Sequence, residues 1–174
     1  VKLPVVGKAH EAESASAGFT WFIYGSSLDA DAFARWAKEH GYRAPDLSRG
    51  VPARLAGYRL SFDVMSRFWG GATASLVEDP AGAVEGLALP MPADARGLVD
   101  HKEGAISGLY EPIAVEVTPL AGGAPMAAVA YRAAASRRLP SEAPPARAFV
   151  ETLVRGAQAV GLSADWVARL RARL

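Results

Sequence analysis

Thr20-Trp21-Phe22-Ile23-Tyr24-Gly25-Ser26-Ser27-Leu28 is an apolar run that breaks into small residues where a helix begins. Thr20–Tyr24 is rich in β-branched and aromatic residues and predicts a strand. Asp29 is a good N-cap, and Phe33, Trp36, Ala37 and His40 recur at helical spacing until Gly41 ends the pattern. A turn of small residues between strand and helix leaves backbone N–H groups without partners and aims them at one point. Such a turn suits a carboxylate or a developing oxyanion.

Further strand-like runs follow at 53–62, 71–77, 83–89, 109–118 and 126–132. Glu78-Asp79-Pro80-Ala81-Gly82 and Ala121-Gly122-Gly123 carry turn chemistry and predict hairpins between the neighbouring runs. Ala93–Lys102, opening after Pro92, predicts a helix before Glu103-Gly104. Arg137–Pro145 reads as a polar connection. Two helices close the chain. Ala146, Phe149, Val150, Leu153, Ala157 and Val160 form the apolar stripe of the first, which Gly161 stops. Ser163 caps the second, with Val167, Leu170 and Leu174 expected to face inward. Strands dominate the middle and helices the end, so the pattern is α+β.

Composition narrows the function. A chain of 174 residues with 51% apolar and 21% charged residues has enough apolar material for one soluble domain. Residues 1–18 are expected to be a flexible leader and 19–174 the domain. A formal charge of +1 offers nothing to a polyanion, and Arg169, Arg171 and Arg173 read as one solvated helix face, so no nucleic-acid partner is expected. No apolar stretch is long enough to span a membrane. The chain has no cysteine, which removes disulfides, thiolate nucleophiles and thiolate metal sites together. No secretory signal pattern is visible, and a cytoplasmic location is the default expectation. His10, His40 and His101 have no ligand spacing, so no metal is expected. A serine hydrolase built on Ser26 or Ser27 lacks the Gly-x-Ser-x-Gly elbow, and adjacent Asp100-His101 cannot easily align as a triad.

Leu98-Val99-Asp100-His101-Lys102-Glu103-Gly104-Ala105-Ile106-Ser107-Gly108-Leu109-Tyr110 changes the weight of the first turn. It resembles the Glu-Gly-x-x-x-Gly-x-Tyr block of the γ-glutamylcyclotransferases, and Tyr24–Leu28 resembles their Tyr-Gly-Ser-Asn-Leu loop. The intervening runs Ala53–Phe62, Trp69–Ala74 and Val84–Leu89 fall in the same order as that family's strands. The resemblance extends from about Phe22 to Leu170. It implies a small mixed β-barrel-like sheet flanked by helices, without a cofactor. It also implies cyclisation of a γ-glutamyl amino acid or γ-glutamyl amine to 5-oxoproline with release of the free amine.

By the same resemblance Glu103 is the general acid/base, and Tyr24, Gly25, Ser26, Ser27 and Leu28 hold the glutamyl moiety. Tyr110 matches the tyrosine of the block and is expected to orient substrate or Glu103. Tyr131 falls on a strand where the family also carries a tyrosine. The acidic segment is closer to this form than to that of the glutathione-specific branch. Two positions depart from the pattern. Ser27 replaces the usual asparagine, and Phe149 stands where some relatives present a tyrosine hydroxyl. Both departures leave room for a second reading, a cyclotransferase fold kept as a binding or partner-interaction module. Against it stands Glu103, since a binding pocket gains nothing from an unpaired buried carboxylate. Monomer and homodimer are both compatible with the sequence.

Overall fold

A computed structural model describes residues 17–174. The leader expected at 1–18 therefore lies almost wholly outside the described residues. Five strands form the body: β1 (Phe19–Ile23), β2 (Val51–Ser66), β3 (Gly71–Met91), β4 (Tyr110–Pro119) and β5 (Met126–Ala133). They close into a barrel in the order β1-β3-β2-β4-β5. All pairings are antiparallel except the β1–β5 seam, where Trp21 lies beside Val129 in parallel. Closure runs through two narrow seams, Ala53–Pro119 and Arg54–Thr118 between β2 and β4 and Trp21–Val129 between β1 and β5. Four helices flank it: α1 (Ala30–Glu39), α2 (Arg96–Lys102), α3 (Arg147–Ala159) and α4 (Ala164–Arg171). The α+β barrel expected from the sequence is the observed fold.

Alternation along β1 explains why consecutive large residues are both buried. Trp21 packs edge-on against Phe33 of α1 at 5.8 Å, so Phe22 points to the opposite face. Both are essentially inaccessible, because one face of the strand meets the barrel interior and the other a helix.

One expected turn does not reverse the chain. Runs 71–77 and 83–89 are two halves of the single strand β3, and both pair with β2. The register jumps from Tyr58↔Glu78 to Ala56↔Ala83, so Asp79–Gly82 is a bulge and not a hairpin. Asp79 Oδ1 accepts from the Ala81 N–H at 3.1 Å, the local bond of an Asx turn. The turn chemistry was legible, but the partner of each half was not. The Ala121–Gly123 hairpin does form, joining antiparallel β4 and β5.

The closing helices are fixed by polar contacts from distant segments. Ser163 caps α4 through its Oγ, which accepts from Trp166 N at 3.1 Å. Buried Glu85 of β3 accepts from both Ser163 N and Ser163 Oγ at 2.9 Å. A buried carboxylate needs such donors, and here they anchor a helix start to the barrel. Val167 and Leu170 are buried as expected, whereas Leu174 is exposed. Arg173 is not merely solvated: its guanidinium lies 4.6 Å from the Phe62 ring centre and 2.8 Å from Glu142.

Candidate active site

The barrel and α3 leave a cleft of ≈ 190 Å³ between the end of β1 and the end of α2. On one side the chain leaves β1 through Tyr24 and Gly25 into a short 3-10 turn, Ser26–Leu28. Within this turn Leu28 N donates to Gly25 O and Asp29 N to Ser26 O. The N–H groups of Gly25, Ser26 and Ser27 have no backbone acceptor among the described residues. Gly25, Ser26 and Ser27 line the cleft, so the donors expected from the sequence sit at its wall.

Behind the turn stands a built support. Asp29 accepts from Ala32 N at 2.9 Å as the N-cap of α1 and from Arg155 Nε of α3 at 3.0 Å. Next to Arg155, Gly156 brings the α3 backbone so close to the turn that a Cβ there would lie 2.5 Å from Leu28 C and Asp29 N. Leu28 is fully buried and does not line the cleft. This corrects its expected role in ligand binding: the residue is the apolar anchor by which the turn is pressed against α3.

Opposite the turn stands Glu103, which caps the C-terminus of α2. Its N–H still donates to Val99 O at 2.9 Å, and Gly104 follows with φ = 73°, the left-handed conformation that ends a helix and suits glycine. The carboxylate therefore leaves the helix at a fixed point. Its Oε1 accepts from Ser27 Oγ at 3.4 Å, a long bond that joins the two halves of the site. Burial in the cleft wall raises the Glu103 carboxyl above the ordinary glutamate value of 4.5, opposed by the Lys102 charge and the Ser27 hydroxyl.

The sign of this shift is testable. A carboxyl with a raised native pKa binds its proton more tightly folded than unfolded. Its contribution thus favours folding as pH falls through that window and is lost at higher pH. The carboxyl carbon resonance of Glu103 is expected to titrate above 4.5, and Ser27→Ala is expected to move the midpoint higher still, because the bond it removes stabilises the anion. A midpoint at or below 4.5 would contradict the burial assigned to this side chain.

Tyrosines tie the two halves to the barrel. Tyr24 is buried and its hydroxyl donates to the Tyr131 carbonyl on β5. Tyr131, also buried, donates from its own hydroxyl to Asp100 Oδ1 on α2, and Arg96 Nε holds the same oxygen at 3.1 Å. This relay fixes α2, and hence Glu103, relative to the turn. Burial is the main cause that pushes the Tyr24 and Tyr131 hydroxyls up, so both stay protonated donors. Tyr110 lines the cleft, and its hydroxyl donates to Ala74 O at 2.7 Å. Its single proton is committed, leaving an oxygen lone pair and a ring face for a ligand.

The cleft also contains residues the sequence did not single out: Ser66 and Trp69 at the tip of the β2–β3 hairpin, Thr73, and Lys102. Phe149 of α3 lines it as well, packed against Trp69 at 5.5 Å and Phe62 at 6.4 Å. At this point the wall is apolar, with no hydroxyl to offer. His101 shares the cleft, but its Nδ1 is engaged with Tyr42 OH at 3.2 Å. Among the described residues no group of three or more His, Cys, Asp or Glu side chains is placed to hold a metal ion.

Known proteins share the sequence pattern and the fold of this chain. The human protein "Gamma-glutamylcyclotransferase" is 27% identical over 158 residues, which cover 88% of this chain and 78% of the relative. The Bos taurus protein of the same name is 31% identical over 108 residues, 60% of this chain and 54% of the relative. Among solved structures, one titled "Gamma-glutamyl cyclotransferase" superposes with a TM-score of 0.73 at 23% identity, covering 89% of this chain and 87% of the other. A Bacillus subtilis structure, YkqA, gives a TM-score of 0.73 at 24% identity over 89% of this chain and 53% of its own. These structural likenesses carry the fold. The model of the AIG2-like family matches residues 83–170, half of the chain, including α2, Glu103 and Tyr110. The chain belongs to the AIG2-like family and has the γ-glutamylcyclotransferase fold.

Proposed function

We propose that this protein is a cyclotransferase that converts a γ-glutamyl amino acid or γ-glutamyl amine to 5-oxoproline and the free amine. The observation that carries this reading is the pairing of a half-buried carboxylate with a raised pKa, Glu103, and the donor-bearing turn Gly25–Ser27 across one small cleft. The names of the sequence relatives point the same way.

The chemistry needs one proton carrier. The α-amino nitrogen of the substrate attacks its own γ-carbonyl, the new C–N bond closes a five-membered ring, and the old C–N bond breaks. The attacking nitrogen loses a proton and the departing nitrogen gains one. Glu103 as carboxylate takes the first and, as acid, returns it to the leaving group. N–H groups of Gly25, Ser26 and Ser27 receive the α-carboxylate or the oxygen of the tetrahedral intermediate. Holding the chain folded back supplies much of the acceleration, since attack is intramolecular.

Products of a γ-glutamyl panel separate this reaction from its neighbours. Equimolar 5-oxoproline and free amine, with no glutamate formed, is the expected result. Glutamate instead of 5-oxoproline would make the protein a hydrolase. Absence of turnover on every γ-glutamyl compound would leave the fold as a binding module.

A further inference from the structure

Lys102 lies where the cleft opens into a second groove of ≈ 500 Å³, and it lines both spaces together with Ser26, Ser66 and Trp69. The outer groove runs between α1 and the tip of the β2–β3 hairpin, with Trp36, Phe68 and Trp69 as its aromatic walls. Phe68 is 85% exposed, a large apolar side chain left in water beside the catalytic cleft. The Lys102 ammonium sits 5.3 Å from the Trp36 ring centre and 5.8 Å from that of Phe33, and no carboxylate pairs with it at salt-bridge distance among the described residues. Arg35 and Glu39 on the α1 side of the groove are also without such a partner there, so the groove holds two cations against one anion.

The order of these features follows the order of atoms in one kind of leaving group. If the γ-carbonyl lies at Glu103, the departing nitrogen lies one bond further out. In an amino acid the next carbon bears both a carboxylate and the side chain. The carboxylate then falls at the junction, beside Lys102, and the side chain continues toward the rings of Trp36, Phe68 and Trp69. A simple amine, or an amine at the end of a lysine side chain, places no anion there and leaves Lys102 facing an apolar stem.

We propose that the outer groove is the leaving-group subsite for γ-glutamyl amino acids with large aromatic side chains, and that Lys102 holds their α-carboxylate. This rests on the cyclotransferase reading above. Kinetics on γ-glutamyl-phenylalanine, γ-glutamyl-glycine, γ-glutamyl-phenethylamide and γ-glutamyl-methylamide test it. Wild type is expected to favour the phenylalanine compound over the glycine and phenethylamide compounds by about tenfold or more in kcat/KM, the scale set by side-chain burial and by a matched polar group.

Lys102→Met is expected to erase the advantage over the phenethylamide, mainly through KM, and Lys102→Arg to restore part of it. Any effect of Lys102 on Glu103 acts on both compounds and cancels in their ratio. Phe68→Ala, at an exposed position, is expected to reduce the phenylalanine-to-glycine ratio. Equal turnover of all four compounds, or a ratio unmoved by Lys102→Met, overturns this subsite while the cyclotransferase activity stands. No 5-oxoproline from any of them overturns the activity and the subsite together.

Discussion

Glu103→Gln is expected to lower kcat for 5-oxoproline release by about 10²- to 10⁴-fold, the range for loss of a positioned acid/base group. KM should change little by comparison. Gln keeps the length and planarity of the side chain, and its carbonyl oxygen can still accept from Ser27 Oγ, which lies 3.4 Å from the carboxylate. What it cannot do is take a proton from one nitrogen and give it to another. Folding should not suffer, because burial already disfavours the charged form of this side chain and the amide removes that cost. A variant with an unchanged melting temperature and kcat reduced by orders of magnitude would therefore isolate proton transfer. Activity within tenfold of wild type would remove Glu103 from the reaction, since no second carboxylate among the described residues lines the cleft.

Much of this arrangement was legible in the chain because it is local. The β1–turn–α1 unit needed only an apolar run, a Gly-Ser-Ser break and the Asp29 cap, and each acts within a few residues of itself. The position of Glu103 at the end of α2 was legible from the helix before it and the glycine after it, and its role only from the resemblance. What stayed hidden depends on contacts between distant segments. Leu28 looked like part of a binding loop, but its side chain is turned into the core by α3, which lies far along the chain. Asp79–Gly82 has the residues of a hairpin turn. Only the length of β2, which pairs with both flanking runs, makes it a bulge. Lys102 was only the last residue of the expected helix 93–102. Its place at the mouth of the cleft depends on Trp36 arriving from α1, a fact of packing that no spacing along 96–102 contains. Trp69 and Ser66 could have been flagged by their position at a Gly-rich hairpin tip, but nothing local says which way that tip leans.

Gly156→Ala should show how far the site depends on that packing. Away from other segments this substitution would favour α3, since alanine is better than glycine in a helix interior by about 1 kcal/mol. Here the added Cβ meets Leu28 C and Asp29 N at 2.5 Å and Leu28 Cβ at 2.7 Å. Two of these atoms are backbone and cannot swing aside, so either α3 retreats or the Ser26–Leu28 turn moves. Overpacking of this kind costs about 1–3 kcal/mol, so the melting temperature should fall despite the better helix residue. The larger effect should be kinetic. Displacing the turn shifts the Gly25–Ser27 donors and lengthens a Ser27–Glu103 contact that is already 3.4 Å. A misplacement of about 1 Å at a reacting centre can cost about 100-fold in rate, so kcat/KM should fall well beyond what the stability loss explains at a temperature where the variant is fully folded. Ala157→Gly provides the comparison: it loosens the neighbouring, buried position of the same helix without adding an atom against the turn. If both variants lose stability and only Gly156→Ala loses activity, α3 acts as the clamp that sets the geometry of the donor turn. If Gly156→Ala is as active as wild type, the turn is held by its own bonds and by Asp29–Arg155, and the close approach at Gly156 is packing alone.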